Sequence, residues 1–101
     1  MSTEAALKRG IVKGFEYDRM VMLFSMINGG SEVSCAVSSA AMDDLEHARR
    51  TKPEQREEQF LRLRSQIEAC ASRKFVAREF EGSPPGIVLR SIDFNGERGL
   101  N

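Results

Sequence analysis

The feature that most constrains this chain is the tetrad Asn28-Gly29-Gly30-Ser31, set between the apolar run Met20 to Ile27 and the alternating segment Glu32 to Ser38. Asparagine and glycine tolerate the positive φ of tight hairpin turns, so two-residue turns at Asn28-Gly29 and at Gly29-Gly30 both fit. Either turn puts Met22, Phe24 and Met26 on the same face as Val33, Cys35 and Val37, whereas an unbulged three-residue loop would separate the two rows. The spacing therefore predicts a β-hairpin with these rows facing the core. Its opposite face carries Val21, Leu23 and Ile27 beside Glu32, Ser34 and Ser38. That half-apolar surface needs a cover. Two candidates lie within the chain, the segment Ile11 to Phe15 and the tail with Phe94. The alternative is a second copy of the chain or another protein, which makes Val21, Leu23 and Ile27 the candidate protein interface.

After the hairpin the hydrophobic period changes. Ser38 or Ser39 can cap a helix running to about Arg50, with Asp43, Asp44 and Glu46 towards its positive end and Arg49 and Arg50 at its negative end. Ala41, Met42, Leu45 and Ala48 form its apolar side. Thr51-x-x-Glu54 reads as a capping box, and Pro53 falls in a first turn, where a missing N–H costs nothing. The long helix that follows places Phe60, Leu63, Ile67, Cys70 and Ala71 on one face, and Phe75 prolongs this stripe towards an end near Arg78. Gly82-Ser83-Pro84-Pro85-Gly86 predicts a stiff turn, Ile87 to Ile92 a strand, and Glu79 to Glu81 a short partner for it. Residues 1–10 read as a frayed arm, 11–15 as a short first strand and 95–101 as a loose tail. The predicted fold class is α+β: an antiparallel sheet, made of the hairpin, the C-terminal strand and the short N-terminal strand, covered on one face by two helices. At 101 residues this is one domain, ordered over 11–94.

Composition narrows the function classes. The 15 basic residues balance the 15 acidic ones, whereas a dedicated nucleic-acid binder is normally strongly basic. No run approaches the roughly 18 apolar residues of a membrane span, and the start lacks the residue order of a secretory signal. A cytoplasmic protein without membrane contact is expected. Cys35 and Cys70 have no C-x-x-C spacing and no neighbouring histidine, so they read as free thiols that behave as small core residues.

The balance is uneven along the chain. Residues 59–78 carry Arg62, Arg64, Arg73, Lys74 and Arg78 against the single acid Glu68. Arg62, Arg73, Lys74 and Arg78 are thus candidate anion-binding residues, and a nucleic-acid-associated module is the second functional reading. Aromatic support is thin, because Phe60 and Phe75 belong to the apolar stripe.

Three blocks of sequence resemble domain of unknown function 1488, a family of short bacterial proteins, over residues 11–94. The first is Val21-Met22-Leu23-Phe24, a glycine turn, then Cys35-Ala36-Val37-Ser38 leading into a helix. The second is Phe60 to Lys74, similar to the family's F-x-x-x-R-x-x-I-E-x-x-A-x-x-K helix. The third is Gly86-Ile87-Val88-Leu89, ending near Asp93. Where family members often carry a tryptophan-aspartate pair, this chain has Tyr17-Asp18. The resemblance implies the α+β fold and a bacterial cytoplasmic setting, and it brings no catalytic residue.

The chemistry-bearing residues do not assemble a catalytic pattern. Asp43 and His47 share a helical face at i,i+4, yet no further cluster completes a metal shell. Ser34, Ser38 and Ser39 lack a base partner and a G-x-S-x-G setting, and Asn28-Gly29-Gly30-Ser31 joins two strands instead of opening a helix that could hold phosphate. No catalytic, cofactor or metal residue and no small-molecule substrate is predicted. The expected function is a non-catalytic accessory or regulatory module that acts through contacts with a protein partner or with itself as a homodimer, ahead of the nucleic-acid reading and of a small enzyme.

Overall fold

The structure is a computed structural model and describes residues 7–82 and 85–98. Strands β1 (Lys8–Glu16), β2 (Val21–Asn28), β3 (Ser31–Ser38) and β4 (Ile87–Leu89) form one sheet in the order β1-β2-β3-β4. Helices α1 (Ser39–Glu46) and α2 (Arg56–Val76) lie between β3 and β4, and α3 (Ser91–Arg98) follows β4.

The hairpin forms as its turn residues require. Asn28 pairs with Ser31, so the two-residue turn is Gly29-Gly30, with Gly29 at φ 63°. Met22 then lies opposite Val37, Phe24 opposite Cys35 and Met26 opposite Val33. This is the predicted parity, and all six side chains join or pack against the core. From α2 come Phe60, Leu63, Ile67, Cys70 and Ala71, the predicted stripe, and from α1 come Ala41 and Met42. Phe24 and Phe60 meet at the centre, with ring centroids 5.0 Å apart.

The sheet is mostly antiparallel, but β4 runs parallel to β3, pairing Cys35 with Ile87 and Val37 with Leu89. The antiparallel place expected for the C-terminal strand is thus corrected. The cause is the connection: α1 and α2 together carry the chain from one end of the sheet back to the other, as a parallel pair requires. The strand also stops at Leu89, since Asp93 accepts a hydrogen bond from the Arg90 N–H at 2.7 Å and starts α3. Phe94 is buried in the core beside the two expected helices. Residues 95–98 are therefore helical instead of a loose tail, and 99–101 lie outside the described residues.

At the other end, β1 begins at Lys8 and Leu7 is already buried, so the frayed arm expected over 1–10 cannot extend past residue 6. Residues 1–6 are not described. The register of β1 on β2 shifts between Arg9 and Val12 and again between Val12 and Gly14. The extra residue at the second shift lets Val12 and Phe15, three apart in sequence, both face the core. Gly10 sits at the first shift, where a Cβ would come within 2.4 Å of the Ser25 carbonyl oxygen.

Two helix ends differ from expectation. α1 stops at Glu46 because His47 turns left-handed at φ 55°, its N–H donating to the carbonyls of Asp43 and Asp44, so Ala48 to Arg50 lie beyond the helix. Thr51 does not cap the next helix. Its hydroxyl donates to the charged Asp43 carboxylate at 2.9 Å instead of accepting from a backbone N–H at the helix start. Gln55 instead accepts from the Lys52 N–H at 2.9 Å across a single 3₁₀ turn, Pro53–Gln55, that leads into α2. Near the C-terminal strand, the short partner expected over Glu79 to Glu81 is reduced to a single antiparallel bridge from Glu81 to Gly86, just before β4. Ser83 and Pro84 of the predicted stiff turn are outside the described residues.

Candidate interaction surface

The helices pack on the inner face, so the outer face can be read strand by strand. Opposite residues in register project to the same side. Val21 pairs with Ser38, Leu23 with Ala36 and Ile27 with Glu32 across the hairpin, and Val88 sits beside Ala36. Val21 and Ala36 are 6% and 4% exposed, yet neither belongs to the core cluster. Leu23, Ile27 and Val88 are half-buried. Neither in-chain cover takes its expected place: Ile11 to Phe15 pairs at the sheet's edge as part of β1, and Phe94 packs on the inner side.

The exposed ground forms two adjoining hollows. One, of about 300 Å³, lies over Leu23, Ser34, Ala36 and Val88. The other, of about 490 Å³, lies over Val21, Ser38, Val88 and Ile92, whose side chain is 72% exposed. Arg19 and Arg90 line both. Arg90 donates from two nitrogens to Glu81, at 2.7 and 2.9 Å, and this holds the Glu81 carboxyl below its ordinary pKa. Arg19 donates to Glu16 at 3.3 Å. At the far end of the face Lys13 pairs with Glu32 at 3.4 Å, and hydrogen bonds from Ser25 and Lys13 lower the Glu32 pKa.

Of the candidate anion-binding residues, Lys74 is drawn into the fold, while Arg62, Arg73 and Arg78 are exposed. Arg62 donates to Glu46 at 2.7 and 3.0 Å. Lys74, expected as an anion-binding residue, has a side chain only 11% exposed, donating to the Val88 carbonyl at 2.9 Å and pairing with Asp93 at 3.1 Å. It continues the apolar stripe of α2 and ties that helix to the last strand. Arg73 and Arg78 are exposed, Arg78 beyond the helix end at φ 61°. Lys74 is therefore set apart from the other three.

One constellation was not legible as a site. Arg56 and Gln59, 5% and 0% exposed, lie on the buried face of α2. Arg56 donates to both carboxylate oxygens of Asp43, at 2.7 and 3.3 Å, and to the Gln59 carbonyl oxygen at 2.7 Å. Gln59 donates to Asp43 at 3.0 Å and to Glu46 at 3.4 Å. Burial raises the Asp43 pKa, but hydrogen bonds from Arg56, Gln59 and Thr51 outweigh it and leave the carboxyl below its ordinary value. Held by Arg56, Gln59 and Thr51, this carboxylate serves as a clamp between α1 and α2, and the exposed His47 takes no part. The signal available in the sequence was position alone, since both residues fall on the Phe60 stripe one turn earlier.

The depressed pKa has a pH consequence. A carboxyl whose folded pKa lies below its unfolded one contributes stability above the unfolded value, about 3.9 for aspartate, and loses it as pH falls through the folded value. Asp43→Asn is expected to lower stability at pH 7 and to flatten the loss below about pH 4. Urea midpoints measured across that range check this, and an unchanged acid limb would contradict it.

The thiols give no nucleophile. Both are buried, and burial pushes Cys35 up to about 12, far above the range in which a thiolate forms at neutral pH. Among the described residues, no group of three or more His, Cys, Asp or Glu side chains could hold a metal, and no helix is long and apolar enough to cross a membrane.

Comparison with known proteins agrees with this architecture. No curated protein matches the chain. The 1.60 Å crystal structure of a DUF1488-family protein of unknown function from Shewanella loihica PV-4 superposes with a TM-score of 0.68 at 17% identity, covering 82% of this chain and 94% of that one. It shares the fold. The family model described as protein of unknown function (DUF1488) matches residues 13–85, which include the hairpin and α2 blocks but not the third, Gly86 to Asp93. With a matched span from the first strand past the end of the long helix, and a solved relative of the same fold, this chain belongs to the DUF1488 family.

Proposed function

We propose that this chain is a non-catalytic accessory or regulatory module of the bacterial cytoplasm, working through protein contacts on the outer face of its sheet. The observation that carries the reading is the outer strip at Leu23 and Val88, half-buried beside the exposed Ile92 and lining two surface hollows. Engagement of Asp43 within the helix clamp and burial of both thiols weigh against catalysis. The pairing of Arg62 with Glu46 and of Lys74 with Asp93 weighs against the nucleic-acid reading.

A photo-crosslinking residue at position 23, compared with one at the exposed Leu61 of α2, tests the face in cells. Protein adducts from position 23 and not from position 61 are expected. Equal labelling from both would remove the reading. Light scattering on wild type and Leu23→Lys then sorts the partner: a monomer in both leaves a different protein, whereas a dimer lost on substitution identifies a second copy.

A further inference from the structure

From the charge around this same face we infer that its occupant is an acidic, amphipathic segment of a partner protein, whose apolar side chains enter the two hollows while its carboxylates bind Arg19 and Arg90. The inference rests on the reading of the outer face as a contact surface and specifies what it contacts. The two hollows share Arg19, Val88 and Arg90 and so form one trough across β2, β3 and β4. Its floor is apolar, at Val21, Leu23, Ala36 and Val88. Among the described residues, the larger hollow has two guanidinium groups in its lining and no carboxylate. In the smaller one the only carboxylate among the described residues is Glu81, already held by Arg90.

Both arginines keep binding capacity. A guanidinium offers five N–H donors in a planar fork suited to carboxylates. Arg90 uses two nitrogens on Glu81, and Arg19 makes one long contact with Glu16. Their side chains are 54% and 57% exposed, so a partner carboxylate reaches them without displacing core residues. The hydroxyls of Ser38 and Ser91, in the lining of the larger hollow, add polar contacts at the rim. A basic segment would meet the two guanidiniums with like charge, which disfavours it over an acidic one. The trough is open along its length, unlike the enclosed cavities that bury most of a small ligand, and this favours a polypeptide occupant.

The test uses two labelled peptides of equal length, one alternating leucine and glutamate and the other leucine and lysine, titrated against the full chain by fluorescence polarisation. At low salt the acidic peptide is expected to bind at least about tenfold more tightly, and the margin should shrink as salt is added. Arg19→Gln with Arg90→Gln, checked by thermal melting to be folded, is expected to abolish the margin. Leu23→Ser is expected to weaken the acidic peptide further. Equal binding of both peptides, weakened by Leu23→Ser, would overturn the acidic class while leaving the contact face standing. Binding of neither peptide would also overturn it, and crosslinking at position 23 judges the face independently. A wild-type dimer broken by Leu23→Ser would overturn it in favour of a second copy.

Discussion

Phe60→Ala is expected to lower the unfolding free energy by about 3–5 kcal/mol, the range for removing a buried aromatic ring and leaving a cavity. Phe60 is 0% exposed, packs on Phe24 at 5.0 Å between centroids, and has the Arg64 guanidinium 5.8 Å from its ring centre. It is the side chain through which α2 meets the middle of β2. A domain of this kind has about 5–15 kcal/mol in total, so the variant approaches the limit of folding at room temperature. Phe60→Leu refills part of the space and should lose less. Leu61→Ala, one position away and 48% exposed, should stay within about 0.5 kcal/mol of wild type. Urea denaturation with an unchanged slope measures all three, and a loss below about 1 kcal/mol for Phe60→Ala would contradict this picture of the core.

The second large effect belongs to Arg56. Arg56→Ala strips Asp43 of its cationic partner and Gln59 of a donor within a nearly closed site. Breaking a buried ion pair by removing one partner typically costs about 3–5 kcal/mol. The Asp43 side chain keeps 24% exposure and its bonds from Thr51 and Gln59, which reduces the expected loss to about 2–3 kcal/mol. The Arg56 guanidinium also lies 5.8 Å from the Phe15 ring centre, so its loss loosens β1 as well. Replacing both charges, as in Arg56→Met with Asp43→Leu, is expected to cost less than Arg56→Ala alone, because no charge is left without a partner. If the double variant proved the weaker, the clamp would be contributing net stability beyond the penalty of an orphaned charge.

These two residues also show how far sequence reasoning reaches. Phe60 was legible because apolar residues at helical spacing bury one face whatever the partner, and the hairpin rows were legible because side chains alternate with a fixed period of two. Arg56 sits on the same stripe, but a polar residue signals burial only when its hydrogen-bond partners are known, and Asp43 lies on another helix. The partners of Lys74 were hidden for the same reason, since Asp93 and the Val88 carbonyl come from the far end of the chain. β1 was shortened in the reading because its two register shifts hide the alternation of Val12 and Phe15.

The candidate interface was half legible. Parity alone put Val21, Leu23 and Ile27 on the outer face and showed that the face needed a cover. Whether Ile11 to Phe15 would cross that face or extend the sheet's edge depended on backbone pairing with β2, a contact between segments that local pattern does not encode. Arg19 and Arg90 could not be connected from sequence, since one lies in the turn before β2 and the other at the end of β4.

The sequence by itself determined the hairpin, the two helices after it and their buried sides, because propensity, turn chemistry and periodicity act over a few neighbouring residues. Only the tertiary structure decided that β4 enters in parallel, that the acid of α1 is neutralised by α2, and that two distant arginines flank an open apolar trough. Each of these depends on which surfaces meet, and that is set by the packing of the whole chain.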